Sequence, residues 1–211
     1  MRILYGVLAM ATVVVASNIL VQFLLGQWLT WGALTYPVAF LVTDVMNRVY
    51  GPAAARKVVL AGFLVGVVCS VIGSQIMLTG DGFTYPAVAL RVAVASGVAF
   101  LTAQLLDVAV FDAFRQGRWW RAPLVSTIAG SVLDTVLFFT IAFSASVTLF
   151  GPEADAAVNW AWEAVPFLGF GPVVPLWVSL GFADWMVKLT LALMALVPFR
   201  MLVARLTPDF V

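Results

Sequence analysis

"VSTIAGSVLDTVLFFTIAF", residues 125–143, decides how this chain folds. It is apolar nearly throughout, and its length approaches the roughly 20 residues that a helix needs to cross a bilayer. Yet Asp134 stands at its middle. A carboxylate at the centre of a membrane helix costs roughly 2.5–3.5 kcal/mol on insertion scales. Such a residue normally faces a bundle interior or a water-filled cavity, so the acid bears on what the molecule does.

The rest of the chain has the same character. Of its 211 residues, 64% are hydrophobic and only 10% charged, and the mean hydropathy is +1.08. A soluble domain carries about a quarter charged residues. The composition therefore describes a polytopic membrane protein, with residues 1–211 forming a single transmembrane domain. A net charge of +1 leaves no electrostatic footprint for nucleic acid. Cys69 is the single cysteine and histidine is absent, which excludes an internal disulfide and a zinc site. No metal or cofactor is expected.

Apolar runs give six candidate spans, at about 4–25, 33–50, 57–78, 88–114, 123–149 and 174–203. The fold class expected is thus all-α, a polytopic membrane helical bundle of six transmembrane helices. The first run follows Arg2 as a signal peptide would, but it is too long and a second span follows it. The second span is short and carries Pro37 in "TYPVAF", so its outer end is expected to be irregular. The segment 151–172 reads as an external loop with a short interfacial helix, its Trp160 and Trp162 suiting a headgroup belt. A re-entrant element is the alternative there.

Loop charge sets the orientation. Arg2, then Arg48, Arg56 and Lys57, then Arg115, Arg118 and Arg121, and finally Arg200 and Arg205 fall on one side. The alternate loops, 26–32, 79–87 and 151–172, carry no Lys or Arg and only the acids Asp81, Glu153, Asp155 and Glu163. Positive-inside bias then makes both termini cytoplasmic.

The charges that fall away from the span ends, in the membrane, are Asp44, Arg91, Asp107, Asp134, Asp184 and Lys188. Helical spacing places Thr127, Gly130, Ser131 and Phe138 on the face of Asp134, and Phe100, Gln104 and Phe111 on that of Asp107. Asp184 and Lys188 are four apart and neutralise one another, either as a structural ion pair or as part of a site. Arg91 opens the fourth span, where it either snorkels to the interface or joins a site. Gly62, Gly66 and Ser70 form a small-residue seam of the kind that packs helices. Asp107 and Asp134 have no basic residue on their own helix face. Lone intramembrane acids serve as proton relays, or as acceptors for the paired N–H donors of a guanine-like edge. Asn18, Gln22 and Gln104 add amides, and Phe138, Phe139 and Phe143 add flat apolar faces. Such a set suits a planar heterocycle. On this reading Asp134 accepts from the heterocycle, and Asp107 with Gln104 flanks the same cavity.

The stretches "ASNILVQF", "TWGALTYPVAFLVTDVMNRVYG", "AARK", "RVAVAS", "AQLLDVAVF", "WWRAP", "LDTVLFFTIAF" and "ADWMVKL" occur in an order that resembles the queuosine precursor transporter family, within the vitamin uptake transporters of the bacterial inner membrane. The likeness runs from about residue 16 to 195. It implies import of 7-cyano-7-deazaguanine and 7-aminomethyl-7-deazaguanine, no catalysis, a small-molecule deazapurine and the lipid bilayer as partners, and leaves a homo-oligomer open. Motif by motif it points to Asn18, Asp44, Arg91, Gln104, Asp107, Asp134, Asp184 and Lys188. Where the family pattern has a glycine before the glutamine, this chain has Ala103. A second expectation is a substrate-binding subunit of an ATP-driven system; the chain has no phosphate-binding G-x-x-x-x-G-K-[ST] loop, so hydrolysis would belong to another protein. A membrane enzyme is disfavoured, because no nucleophile–base pair is evident.

Overall fold

The computed structural model describes residues 2–20, 23–26, 29–80 and 83–207. Gln22 and Asp81, singled out above, lie outside the described residues. The chain is a polytopic helical bundle. Among the described residues five helices are long and apolar enough to cross a membrane: α1 (Arg2–Leu20), α4 (Pro52–Gln75), α5 (Leu90–Phe114), α6 (Arg121–Phe143) and α8 (Leu176–Leu206). The second expected span is split into α2 (Trp31–Thr35) and α3 (Val38–Tyr50). Pro37 has no N–H to give back to Ala33, so the hydrogen-bond ladder breaks there. Tyr36 and Pro37 nevertheless keep helical torsions, with φ of −56° and −60°. The polypeptide bends without reversing.

The connections at one end of the bundle also contain short strands. Three two-stranded antiparallel hairpins fill them: β1 (Leu24–Leu25) with β2 (Leu29–Thr30), β3 (Met77–Gly80) with β4 (Phe83–Pro86), and β5 (Ala164–Pro166) with β6 (Val173–Pro175). The sequence signal for the second is Asp81–Gly82, a dipeptide that favours two-residue hairpin turns. Because the helices alternate in direction, all three hairpins fall at one end of the bundle. The lysines and arginines of the other connections mark the opposite, basic end.

Central helices differ from peripheral ones. Within their most apolar windows, α5 and α6 are 44% and 39% buried, against 22% for α1, α4 and α8. Leu60, Leu64, Val68, Val71 and Ile72 leave one whole face of α4 bare. That much contiguous apolar surface suits lipid and not water. Gly62 and Gly66 do pack a helix, as their spacing suggested: they receive Met10 and Val14 of α1. Apolar clusters fill the interior, with Met10, Val58, Val59, Phe100 and Val108 in the middle and Phe111, Phe199 and Val203 toward the basic end.

The connection from α6 to α8 is ordered against the hairpin end. It contains α7 (Pro152–Ala156), 3-10 turns at Asn159–Trp162 and Phe167–Gly169, and the β5–β6 hairpin that carries the second turn. A helix leaves its last four carbonyls without partners, and in a membrane these need donors. Arg91 supplies two of those donors. Its guanidinium gives one hydrogen bond to Ile141 O at 2.8 Å, another to Ser144 O, and an ion pair to Asp155 at 2.6 Å. Trp162 Nε1 donates to Phe143 O at 2.6 Å. Arg91 is fully buried, so it turns inward instead of snorkelling. Trp160 remains exposed, as a belt residue should be, while Trp162 caps the helix end.

Candidate functional site

α3 and α6 run antiparallel, and each step of about four residues along one meets a matching step back along the other. Tyr36 OH donates to Asp134 Oδ1 at 3.0 Å. One turn on, the ring of Phe40 lies against Gly130; a Cβ there would sit 2.7 Å from the ring edge, 3.2 Å from Ala103 O and 3.4 Å from the Cβ of Asp107. Only glycine admits the three elements so closely. A further turn on, Ser126 and Thr127 donate to the two oxygens of Asp44 at 3.1 and 3.2 Å. Polar residues therefore fall into two layers separated by an apolar one. Along α6, from Ser126 to Asp134, the layers are about 12 Å apart at about 1.5 Å per residue.

The layer nearer the hairpin end is ionic. Lys188 Nζ reaches Asp134 Oδ2 at 2.6 Å, Asp184 Oδ2 at 2.5 Å and Thr135 Oγ1 at 3.1 Å. An ammonium has three protons to give, and all three are used. Thr135 passes its own proton to Asp184 Oδ2 at 3.2 Å, and the ammonium also lies 5.6 Å from the centre of the Tyr36 ring. Two carboxylates share one cation, so the layer carries one negative charge in excess when both are ionised. Asp184 retains 16% side-chain exposure, and its Oδ1 takes no hydrogen bond among the described residues.

Beside this layer α6 and α8 frame a groove of about 480 Å³, open at the side. That volume falls in the range of about 300–1,000 Å³ usual for small-molecule sites. Phe139, Trp177, Phe182 and Trp185 supply its walls, and Thr135 is the residue common to groove and ionic layer. Trp185 Nε1 is buried without an acceptor.

The second layer, toward the basic end, holds no cation among the described residues. Thr43 Oγ1 donates to Gln104 Oε1 at 2.5 Å, and Asn47 Nδ2 donates to Val108 O at 3.0 Å. Asp107 is fully buried, and neither its oxygens nor Gln104 Nε2 meets a partner among the described residues. The structure thus distributes the expected residues. Asp134, Asp184 and Lys188 come together; Asp44, Gln104 and Asp107 come together elsewhere. Between Asp134 and Asp107, Gly130 packs against the ring of Phe40 and the Cβ of Asp107. Arg91 belongs to the hairpin-end cap. Phe138 packs edge-on against Phe139 and Phe143, with ring centres 5.1 and 5.9 Å away. Asn18 turns back to Val14 O of its own helix at 2.8 Å.

Sequence reasoning missed Tyr36 and Thr135 in the ionic layer. Tyr36 had a signal: it is a phenol next to a proline in a membrane run. Asp155 was missed as the partner of Arg91, although an acidic loop facing a lone arginine invites the pairing. The contribution of Lys188 to Asp134 had no local signal, since helical spacing reports neighbours only on one helix.

The bundle thus combines a buried layer of shared charges with an aromatic-walled groove that opens at its side, as suits a membrane transporter. Residues 30–203 match the family described as "Putative vitamin uptake transporter", and the chain belongs to that family. It is 39% identical over 158 residues to the queuosine precursor transporter of Escherichia coli (strain K12), covering 70% of this chain and 69% of that protein. It is 35% identical over 176 residues to the "Probable queuosine precursor transporter" of Haemophilus influenzae (strain ATCC 51907 / DSM 11121 / KW20 / Rd), covering 80% and 66%. The matched stretch thus spans about two thirds of each relative. No solved structure matches the chain significantly.

The three-way sharing of Lys188 makes a sharp test. Lys188→Met should leave two buried carboxylates uncompensated and cost about 3–5 kcal/mol, read as a fall in the thermal midpoint of the purified protein. Asp184→Asn with Lys188→Met should not recover it, because Asp134 stays unpaired. Adding Asp134→Asn should. Full recovery in the double variant would show that Asp134 does not depend on Lys188.

Proposed function

We propose that this chain imports the queuosine precursors 7-cyano-7-deazaguanine and 7-aminomethyl-7-deazaguanine across the bacterial inner membrane. Family membership and the function named for the relatives support the substrate class. The orientation follows from charge: the basic end faces the cytoplasm and the hairpin end faces out. From Trp31 to Tyr50 the broken α2–α3 helix is about 30 Å long, enough to serve as a sixth crossing. A reporter fused after Val211 should then be active in the cytoplasm, and one inserted near Asp155 should lie outside. An external C-terminus would rule out six crossings.

On this reading the deazaguanine ring occupies the groove between α6 and α8, stacked on Phe139, Phe182 or Trp185. The single observation that carries the placement is Thr135, which lines the groove and hydrogen-bonds to Asp184 and Lys188 behind it; for the ring to meet a carboxylate, Asp184 Oδ1 must be reached past Thr135. A planar edge with paired N–H groups finds there a charged acceptor, which makes the stronger kind of hydrogen bond. Asp134 then holds Lys188 and Tyr36 in position and does not itself touch the ring.

The excess negative charge of the layer also bears on preference. An aminomethyl group is a cation at neutral pH, and a cyano group is not. The 7-aminomethyl form should bind at least about tenfold more tightly, equivalent to about 1.4 kcal/mol. Calorimetric titration of detergent-purified protein measures this. Asp184→Asn leaves Lys188 with one carboxylate, so the protein should stay folded while the preference shrinks. Expression should also restore uptake of labelled precursor in cells that cannot make it. Equal affinity for both forms would refute the charge argument, and absence of uptake would refute the transport reading.

A further inference from the structure

The basic end carries charge that neither the fold nor the transport reading uses. Arg48 and Arg115 are occupied there: Arg48 donates to Arg115 O, while Arg115 pairs with Asp112 and donates to Asn47 O. Arg118, Arg121 and Arg200 differ. All three are exposed, and no carboxylate pairs with any of them among the described residues. The fold nevertheless gathers them. The guanidinium of Arg200 lies 5.0 Å from the centre of the Trp119 ring, and that ring packs on the cluster of Phe199 and Val203 near the end of α8. Arg118 directly precedes Trp119, and the stem of Arg121 folds back to within 3.5 Å of where a Cβ would stand on Gly117. Three like charges from two segments thus share one corner of the bundle.

Beneath the arginines the surface is apolar. Helical spacing puts Arg121, Val125, Ile128 and Val132 in one row along α6, and Ile128 and Val132 are exposed. On α8, Leu193 and Val197 lie in the row of Arg200, and both are exposed. These rows run on into the groove at the hairpin end, where Val132 and Phe139 of α6 face Phe182 of α8. We propose that the seam between α6 and α8 binds an anionic phospholipid. Arg118, Arg121 and Arg200 hold its phosphate, and an acyl chain lies along Val125, Ile128 and Val197.

The arginines select an anion, and the apolar rows select its source. Guanidinium groups match phosphate oxygens in a planar fork, and an anion among three of them removes their mutual repulsion. Free phosphate would satisfy the arginines and leave Ile128, Val132, Leu193 and Val197 uncovered. A phospholipid serves both. The dimensions agree: from Arg121 to Val132, α6 rises about 16 Å, close to half of the roughly 30 Å hydrocarbon thickness of a bilayer. Trp119 and Trp120, both half-buried beside the arginines, stand where membrane proteins place aromatic rings at the headgroup level. The inference needs only a bundle in a bilayer and is independent of the transport reading.

The other exposed cations of this end are arranged differently. Arg56 and Lys57 crown the lipid-facing side of α4, which packs against α1, α3 and α5. Adjacent residues on one helix point apart, and no ring from a second element gathers this pair among the described residues. The two places carry comparable charge in different geometry, so one serves as a control for the other.

Native mass spectrometry of the detergent-purified chain tests the site, with phosphatidylglycerol and phosphatidylcholine of identical acyl chains offered in equal amounts. The wild type should retain phosphatidylglycerol several-fold over phosphatidylcholine. That lipid should also raise the thermal midpoint, and inorganic phosphate should not. Arg121→Gln combined with Arg200→Gln should abolish the preference. Arg56→Gln combined with Lys57→Gln removes the same charge from the same end and should leave the preference intact. All four side chains are exposed, so both double variants should melt as the wild type does when no lipid is added. Equal retention of the two lipids by the wild type overturns the proposal. So does an equal loss in both double variants, which would mean diffuse attraction, or a thermal shift that inorganic phosphate reproduces, which would mean an anion site without a lipid.

Discussion

An ammonium buried among helices must spend its protons on acceptors, and in this bundle Lys188 has three of them. Asp134 and Thr135 come from α6 and Asp184 from its own helix, with Tyr36 arriving over the top from the turn between α2 and α3. In a lipid bilayer there is no water to substitute for a missing partner. The position of α8 against α6, and of the α2–α3 bend against both, is therefore held by charge as well as by packing. The hairpin end obeys the same rule. There Arg91 is spent on the unpaired carbonyls at the end of α6 and on Asp155, which ties the long external connection to the bundle.

The α3 helix organises the interior. It crosses α6 in constant antiparallel register and α5 in parallel register, so one face of it touches both polar layers. Phe40 and Gly130 separate the layers, with Ala103 fully buried behind them. A chain with a methyl group at Gly130 would have to move Phe40, the Ala103 carbonyl or both, and so widen the gap that keeps the two layers distinct. Separation matters chemically. One layer holds its own cation and faces a groove; the other holds two carboxyls and no cation among the described residues.

Much of this was legible in the sequence because lipid imposes long apolar runs. The spans at 88–114 and 174–203 are close to α5 and α8, and the i, i+4 spacing of Asp184 and Lys188 predicted their ion pair. What helical periodicity could not supply was the partner on another helix. Asp134 looked like a lone acid because its cation lies 54 residues away. Its supposed companion, Asp107, comes from another helix and packs its Cβ against Gly130, one turn along α6 from Asp134. Arg91 was ambiguous because snorkelling and capping begin from the same position at a helix end. The hairpins were overlooked because the hydropathy of short connections carries little information, although Asp81–Gly82 was a local sign of a turn.

Relatives of this chain are described as queuosine precursor transporters, and the substrate and its position are the proposal made above. The central claim is that the deazaguanine binds in the groove beside Lys188, Asp134 and Asp184. A crystal structure of the protein with 7-aminomethyl-7-deazaguanine tests it most directly. The account predicts the ring against Phe139, Phe182 or Trp185, with an N–H or ammonium group on Asp184. A ligand bound instead between Gln104 and Asp107, with the groove empty, would contradict it.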